Sequence, residues 1–80
     1  MTPEDNKILK QVTLLGIYKK KPDESLNDVR VSLVDTGMYT MKEAKQIFKE
    51  LKDEGYLLDG ALTLKGLSAA KEAEEMFRQH

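Results

Sequence analysis

Tyr56-Leu57-Leu58-Asp59-Gly60-Ala61-Leu62-Thr63-Leu64 sets an Asp-Gly dipeptide between two short apolar runs. A two-residue type I′ turn needs positive φ at both central positions. Aspartate tolerates that conformation and glycine adopts it freely, so the stretch predicts a β-hairpin over residues 56–64. Immediately upstream, Thr40 and Glu43 have the spacing of a capping box, and Ala44, Ile47, Phe48 and Leu51 fall on one helical face before Gly55. A helix is expected over residues 40–54. Downstream, another helix begins near Gly66 and turns Leu67, Ala70, Ala73 and Phe77 inward.

Two further helices precede this segment. Thr2-Pro3-Glu4-Asp5 offers a capping hydroxyl, proline at the first helical position and acids at the positive end of the helix dipole. Ile8, Leu9, Val12 and Leu15 then recur at helical spacing, and Pro22 bars continuation past Lys19-Lys20-Lys21. Asp23-Glu24-Ser25 can cap a second helix with Leu26, Val29 and Leu33 inward. Val29-Arg30-Val31-Ser32-Leu33 also alternates like a strand, but Asp35-Thr36-Gly37 supplies a helix stop, and helix is the preferred reading. The expected fold class is mainly α with a small β-hairpin, in the order helix, helix, helix, hairpin, helix, forming one domain over residues 1–80.

Composition bounds what such a domain can do. A chain of 80 residues buries roughly 60% of its unfolded surface, so its core is thin. It has no cysteine, which rules out disulfides and thiolate metal sites. Thirteen basic residues against fourteen acidic ones give a net charge of −1, unlike the basic balance of most nucleic-acid domains, so any polyanion binding must come from local charge segregation. No apolar run reaches membrane-spanning length, and the acidic start is unlike a secretory signal; a cytoplasmic setting is expected.

Phe48-Lys49-Glu50-Leu51-Lys52-Asp53-Glu54-Gly55-Tyr56-Leu57, followed by Leu62-Thr63-Leu64-Lys65-Gly66-Leu67, resembles the end of a recognition helix running into the wing of winged helix-turn-helix regulators of the multiple-antibiotic-resistance and phenolic-acid-regulator kinds. The resemblance covers roughly residues 23 to 70. It implies a winged helix-turn-helix fold and a transcriptional regulator that binds DNA through its third helix. The wing tip, Asp59-Gly60, departs from that pattern because it carries no arginine for a minor-groove contact.

The third helix carries the candidate site. On a wheel of about 100° per residue, Lys42, Lys45, Lys49 and Lys52 share an arc of roughly 80°. Glu43, Glu50 and Glu54 take the opposite flank, while Gln46 and Asp53 point outward. Solvated helices usually interleave opposite charges, because neighbouring like charges repel. This sorting is either a solvated face, or one paired with acids elsewhere in the fold, or it marks phosphate contact by Lys42, Lys45 and Lys49, with Thr40 and Gln46 near base edges. Lys65, just past the hairpin, completes the set of candidate DNA-binding residues. The alternative is a non-catalytic protein-interaction module on the same fold, favoured by the neutral net charge and the bare wing.

No catalytic, metal or cofactor constellation is expected. His80 has no companion ligand, Ser25, Ser32 and Ser68 have no base, and the glycines sit singly. Tyr18, Tyr39 and Tyr56 have rings that could stack on bases, but Tyr56 is expected to pack at the root of the hairpin. Leu14, Tyr18, Ala69 and Met76 lie off the main stripes of the first and last helices; they fit either a wide core contact or a homodimer seam with Leu14, Tyr18 and Met76 at its centre.

Overall fold

The computed structural model describes residues 2–78; His80 lies outside them. Four helices and one two-stranded antiparallel sheet follow in order: α1 (Pro3–Tyr18), α2 (Leu26–Asp35), α3 (Met41–Asp53), β1 (Leu57–Leu58), β2 (Ala61–Leu62) and α4 (Leu64–Arg78). The predicted element order is the observed one. The Thr2 hydroxyl caps α1 by accepting from the Asp5 backbone N–H at 3.1 Å. Ser25 and Asp28 form a capping box on α2, and Thr40 and Glu43 form the expected one on α3.

The hairpin turns at Asp59 (φ +51°) and Gly60 (φ +80°), pairing Leu58 with Ala61 and Leu57 with Leu62. Both central residues have the positive φ that a type I′ turn demands. The strands are shorter than residues 56–64, because Thr63 caps α4. Its hydroxyl accepts from the Gly66 backbone N–H at 3.0 Å and donates to the Gly55 carbonyl at 2.6 Å. Leu64, expected on the second strand, is the first residue of α4 and is 84% exposed.

Ala44, Ile47, Phe48 and Leu51 of α3 are buried as expected and pack with Leu14, Ile17, Val29, Tyr39, Leu57 and Ala70. The inward face of α1 differs from the expected stripe. Leu14 and Ile17 are buried and Leu9 is partly buried, whereas Ile8 is 49% exposed. The reason is that α1 touches α2, α3 and α4, most extensively α4, so its buried surface wraps past any single stripe. That packing also corrects the expected dimer seam: Leu14 belongs to this chain's own core and Tyr18 packs against it.

Tyr39 is likewise in the core and cannot stack on bases. Its hydroxyl lies 2.9 Å from that of Thr13, whose own proton goes to the Leu9 carbonyl at 2.7 Å, leaving Tyr39 as the donor. Burial raises the Tyr39 phenol above its ordinary pKa, keeping it a neutral donor that ties the α2–α3 turn to α1. Among the described residues, no helix is long and apolar enough to cross a membrane.

Candidate functional site

The two charged flanks of α3 meet different surroundings. The acidic flank faces α1. Lys10 Nζ lies 3.1 Å from Glu50 Oε1 and 2.7 Å from Glu54 Oε2, and the Asn6 side-chain amide donates to Glu50 at 3.3 Å. Gln46 adds a donated hydrogen bond of 3.0 Å to the other oxygen of Glu50. That bond, backed by Lys10, holds the Glu50 carboxyl below the usual glutamate range, while Glu54 and Glu50 hold Lys10 above the usual lysine range. Glu43 is lowered as well, chiefly by the Thr40 backbone N–H that its carboxylate accepts. Glu43, Glu50 and the C-cap Glu54 are thus engaged within the fold, while Asp53 stays exposed.

The lysine flank is left open. Among the described residues, none of Lys42, Lys45, Lys49 and Lys52 has a carboxylate within 4.0 Å. Lys45, Lys49 and Lys52 border a groove of about 410 Å³ between α2, α3 and the hairpin, floored by Phe48 and Leu57. Leu58 and the turn residues Asp59 and Gly60 close one side, so Asp59 places a carboxylate at its mouth. Arg30 of α2 lines the same groove. Its guanidinium carbon sits 5.5 Å from the centroid of the Phe48 ring, and Nη2 donates to the Asn27 side-chain oxygen at 2.7 Å.

Sequence reasoning missed Arg30. It falls beside Val29 on α2, and a single arginine there carries no signal until α2 is laid across Phe48. The structure distributes the other candidates unevenly. Lys45 and Lys49 come together in the groove, whereas Lys42 stands exposed on the first turn of α3 outside it. The Thr40 hydroxyl accepts from the Glu43 backbone N–H at 3.1 Å, so its acceptor side serves the cap. Gln46 is exposed but already donates to Glu50. Lys65 does not line the groove. Its ammonium donates to the Glu54 carbonyl at 2.7 Å and lies 4.5 Å from the centroid of the Tyr56 ring, which also occupies the third tyrosine considered for base stacking.

Comparison with known protein families, curated proteins and solved structures finds no significant match to this chain. The functional reading therefore rests on the site's own chemistry. A cationic, partly apolar groove beside an exposed helix face can receive a polyanion: the ammonium groups supply charge, and the exposed edge of α3 supplies shape. Among the described residues it brings together no acid–base pair or metal-ligating cluster.

Proposed function

We propose that this chain is a small DNA-binding protein of the winged helix-turn-helix kind, acting as a transcriptional regulator. In this reading α3 enters the major groove, with Gln46 toward base edges and Lys42, Lys45 and Lys49 on phosphates. The observation that carries it is the separation of charge across α3. Lys10 pairs with Glu50 and Glu54 on the acidic flank, while the basic flank has no ion-pair partner among the described residues. A net charge near zero is then compatible with polyanion binding, because Glu50 and Glu54 are held toward α1 and away from the lysine flank.

A homodimer would set two copies of α3 into successive major grooves about 34 Å apart. Ile8 on α1, 49% exposed, and Leu64 and Met76 on α4, 84% and 40% exposed, are large apolar residues left for such a seam. Sedimentation equilibrium at tens of micromolar tests the association, and a monomer at that concentration removes the expectation of a palindromic target.

The reading is tested by fluorescence anisotropy with a mixed-sequence duplex at several salt concentrations. Affinity should fall steeply with salt, in proportion to the phosphates neutralised. No association tighter than about 10⁻⁴ M at physiological salt would sink it.

One observation favours a second reading. Leu58 is 62% exposed beside the cationic groove, and Phe48 and Leu57 line its floor. That mixture suits an acidic amphipathic peptide from a partner protein, whose apolar side chains would cover Leu58. The Leu58→Ser variant separates the two, since it should weaken a peptide but leave a duplex unaffected.

A further inference from the structure

We propose that Arg30 is a phosphate clamp, gripping a phosphodiester of the DNA backbone from the α2 side of the groove while Lys45 and Lys49 contact it from α3. The inference rests on the DNA-binding reading above and adds to it a residue and an element, α2, that the lysine pattern does not contain.

Three observations carry it. First, the guanidinium is held in place: Phe48, itself a core residue, lies 5.5 Å below it, and Asn27 takes one Nη2 proton at 2.7 Å. A planar cation fixed on an aromatic face loses little freedom when it binds a second group. Second, its charge has no counter-ion. Among the described residues no carboxylate lies within ion-pair distance of Arg30, although acids stand nearby in sequence. Asp28, two residues away, is spent on the Ser25 backbone N–H at 2.9 Å. Third, Nε is buried and has no hydrogen-bond partner. Being buried, Nε is not itself open to a phosphate; it belongs to a partly desolvated cation in a groove already bordered by three lysines, and the terminal nitrogens are the donors left for a ligand.

An arginine kept only to cover Phe48 would need neither the convergence of lysines nor the missing carboxylate. The fork of guanidinium N–H groups matches two phosphate oxygens at once, which lysine cannot do. The helix that precedes a recognition helix crosses the DNA backbone, so a clamp on α2 and lysines on α3 would grip the same strand from two directions.

The test uses the full chain and a mixed-sequence duplex, with Arg30→Gln, Arg30→Lys and Lys45→Gln compared by fluorescence anisotropy across a salt series. Arg30→Gln is expected to lose about tenfold in affinity and to lower the salt slope by about 0.9, the signature of one phosphate contact removed. Arg30→Lys should keep the slope and lose a smaller part of the affinity, because charge is retained and the fork is not. Circular dichroism melting identifies any variant that fails to fold, and Arg30→Lys decides the matter if Arg30→Gln does. Inorganic phosphate at matched ionic strength should displace the duplex no better than chloride; selective displacement would assign the site to a free anion and overturn the clamp. Wild-type affinity and slope in Arg30→Gln, alongside a loss in Lys45→Gln, would overturn the clamp and leave the DNA reading standing. A wild-type protein that binds no duplex removes both.

Discussion

The Lys10 ammonium lies 3.1 Å from the Glu50 carboxylate, joining α1 to α3 across the length of the intervening chain. The contact turns an apparent obstacle to DNA binding into a structural link. On the sequence alone Glu50 is an unpaired acid that phosphate would repel, so Glu50→Gln reads as neutral or helpful. In the fold it shares Lys10 with Glu54 and accepts from Gln46 and Asn6. Glu50→Gln is therefore expected to destabilise the protein, by about 0.5–1 kcal/mol as for a modest ion-pair network. Urea denaturation followed by circular dichroism reads this directly. An unchanged midpoint would mean that the cluster contributes nothing to α1–α3 docking.

The same cluster sets a pH dependence. Glu43 and Glu50 both have pKa values lowered in the folded state, the first by the Thr40 backbone N–H, the second by Gln46 and then Lys10. A carboxylate lowered on folding contributes stability that is complete above its unfolded value, about 4.3, and is lost as the pH falls from there through the lowered folded values. Stability should thus be level from neutrality down to about pH 5 and decline below it, as these groups take up protons. Lys10, raised on folding, acts in the opposite sense: its contribution is present below the ordinary lysine value and disappears as the pH rises through the folded one. Urea midpoints at closely spaced acidic pH values check the first limb. A Glu43→Gln, Glu50→Gln double variant should flatten the acid decline, and an undiminished decline would assign it to other carboxylates.

On the open flank, Lys45→Gln and Lys49→Gln are expected to weaken duplex binding similarly for all sequences, each lowering the salt slope by about 0.9. Both residues are exposed and outside the apolar face, so melting temperature should hold. Gln46→Ala should instead weaken a preferred site more than random DNA, by roughly 1–3 kcal/mol if the amide pairs with adenine. The 3.0 Å bond from Gln46 to Glu50 adds a condition: the side chain must leave Glu50 to reach a base. Equal losses on preferred and random duplexes would show that Gln46 stays with Glu50 and reads nothing.

Much of the fold was legible because local signals agreed with one another. The Thr40–Glu43 capping box, the four-residue apolar face of α3 and the Asp59-Gly60 turn are each fixed by neighbours in sequence, and each is present as expected. The ambiguous segment around Val29 is helical because the Ser25–Asp28 box and the Gly37 stop outweigh its β-branched residues. What could not be read was long-range. The inward face of α1 depends on its packing against three other helices, the fate of the α3 acids depends on a lysine on α1, and Arg30 gains meaning only beside Phe48. Charge sorting on α3 was visible on a helical wheel, but which flank the protein would cover was not. The Leu62-Thr63-x-x-Gly66 pattern was legible as a resemblance, and its physical basis emerges only in the fold.

That basis gives the last prediction. Gly66 sits in the first turn of α4, where helix propensity alone would favour alanine over glycine by about 1 kcal/mol. Its φ is not positive, so backbone conformation does not demand glycine. Space does. A Cβ there would press into the Tyr56 carbonyl oxygen and stand 3.0 Å from Leu62 Cδ2, bringing α4 against both strands' roots at once. The Tyr56 carbonyl cannot swing aside, because it accepts from the Thr63 backbone N–H at 3.0 Å and Thr63 in turn is tied to Gly55. Gly66→Ala is therefore expected to destabilise the fold by about 1–3 kcal/mol, the usual cost of overpacking, in spite of the better helix former. Gly55→Ala makes the comparison sharp. Gly55 has φ +85° and open space around its Cβ position, so its cost comes from the left-handed backbone alone, about 1–2 kcal/mol. Amide chemical shifts should then distinguish the two, with Gly66→Ala moving the signals of Tyr56, Leu57 and Leu62 and Gly55→Ala confined to the end of α3. A Gly66→Ala protein as stable as the wild type would show that α4 and the hairpin are not in close backbone contact, and the groove beside Leu57 and Leu58 would lose the support that fixes its width.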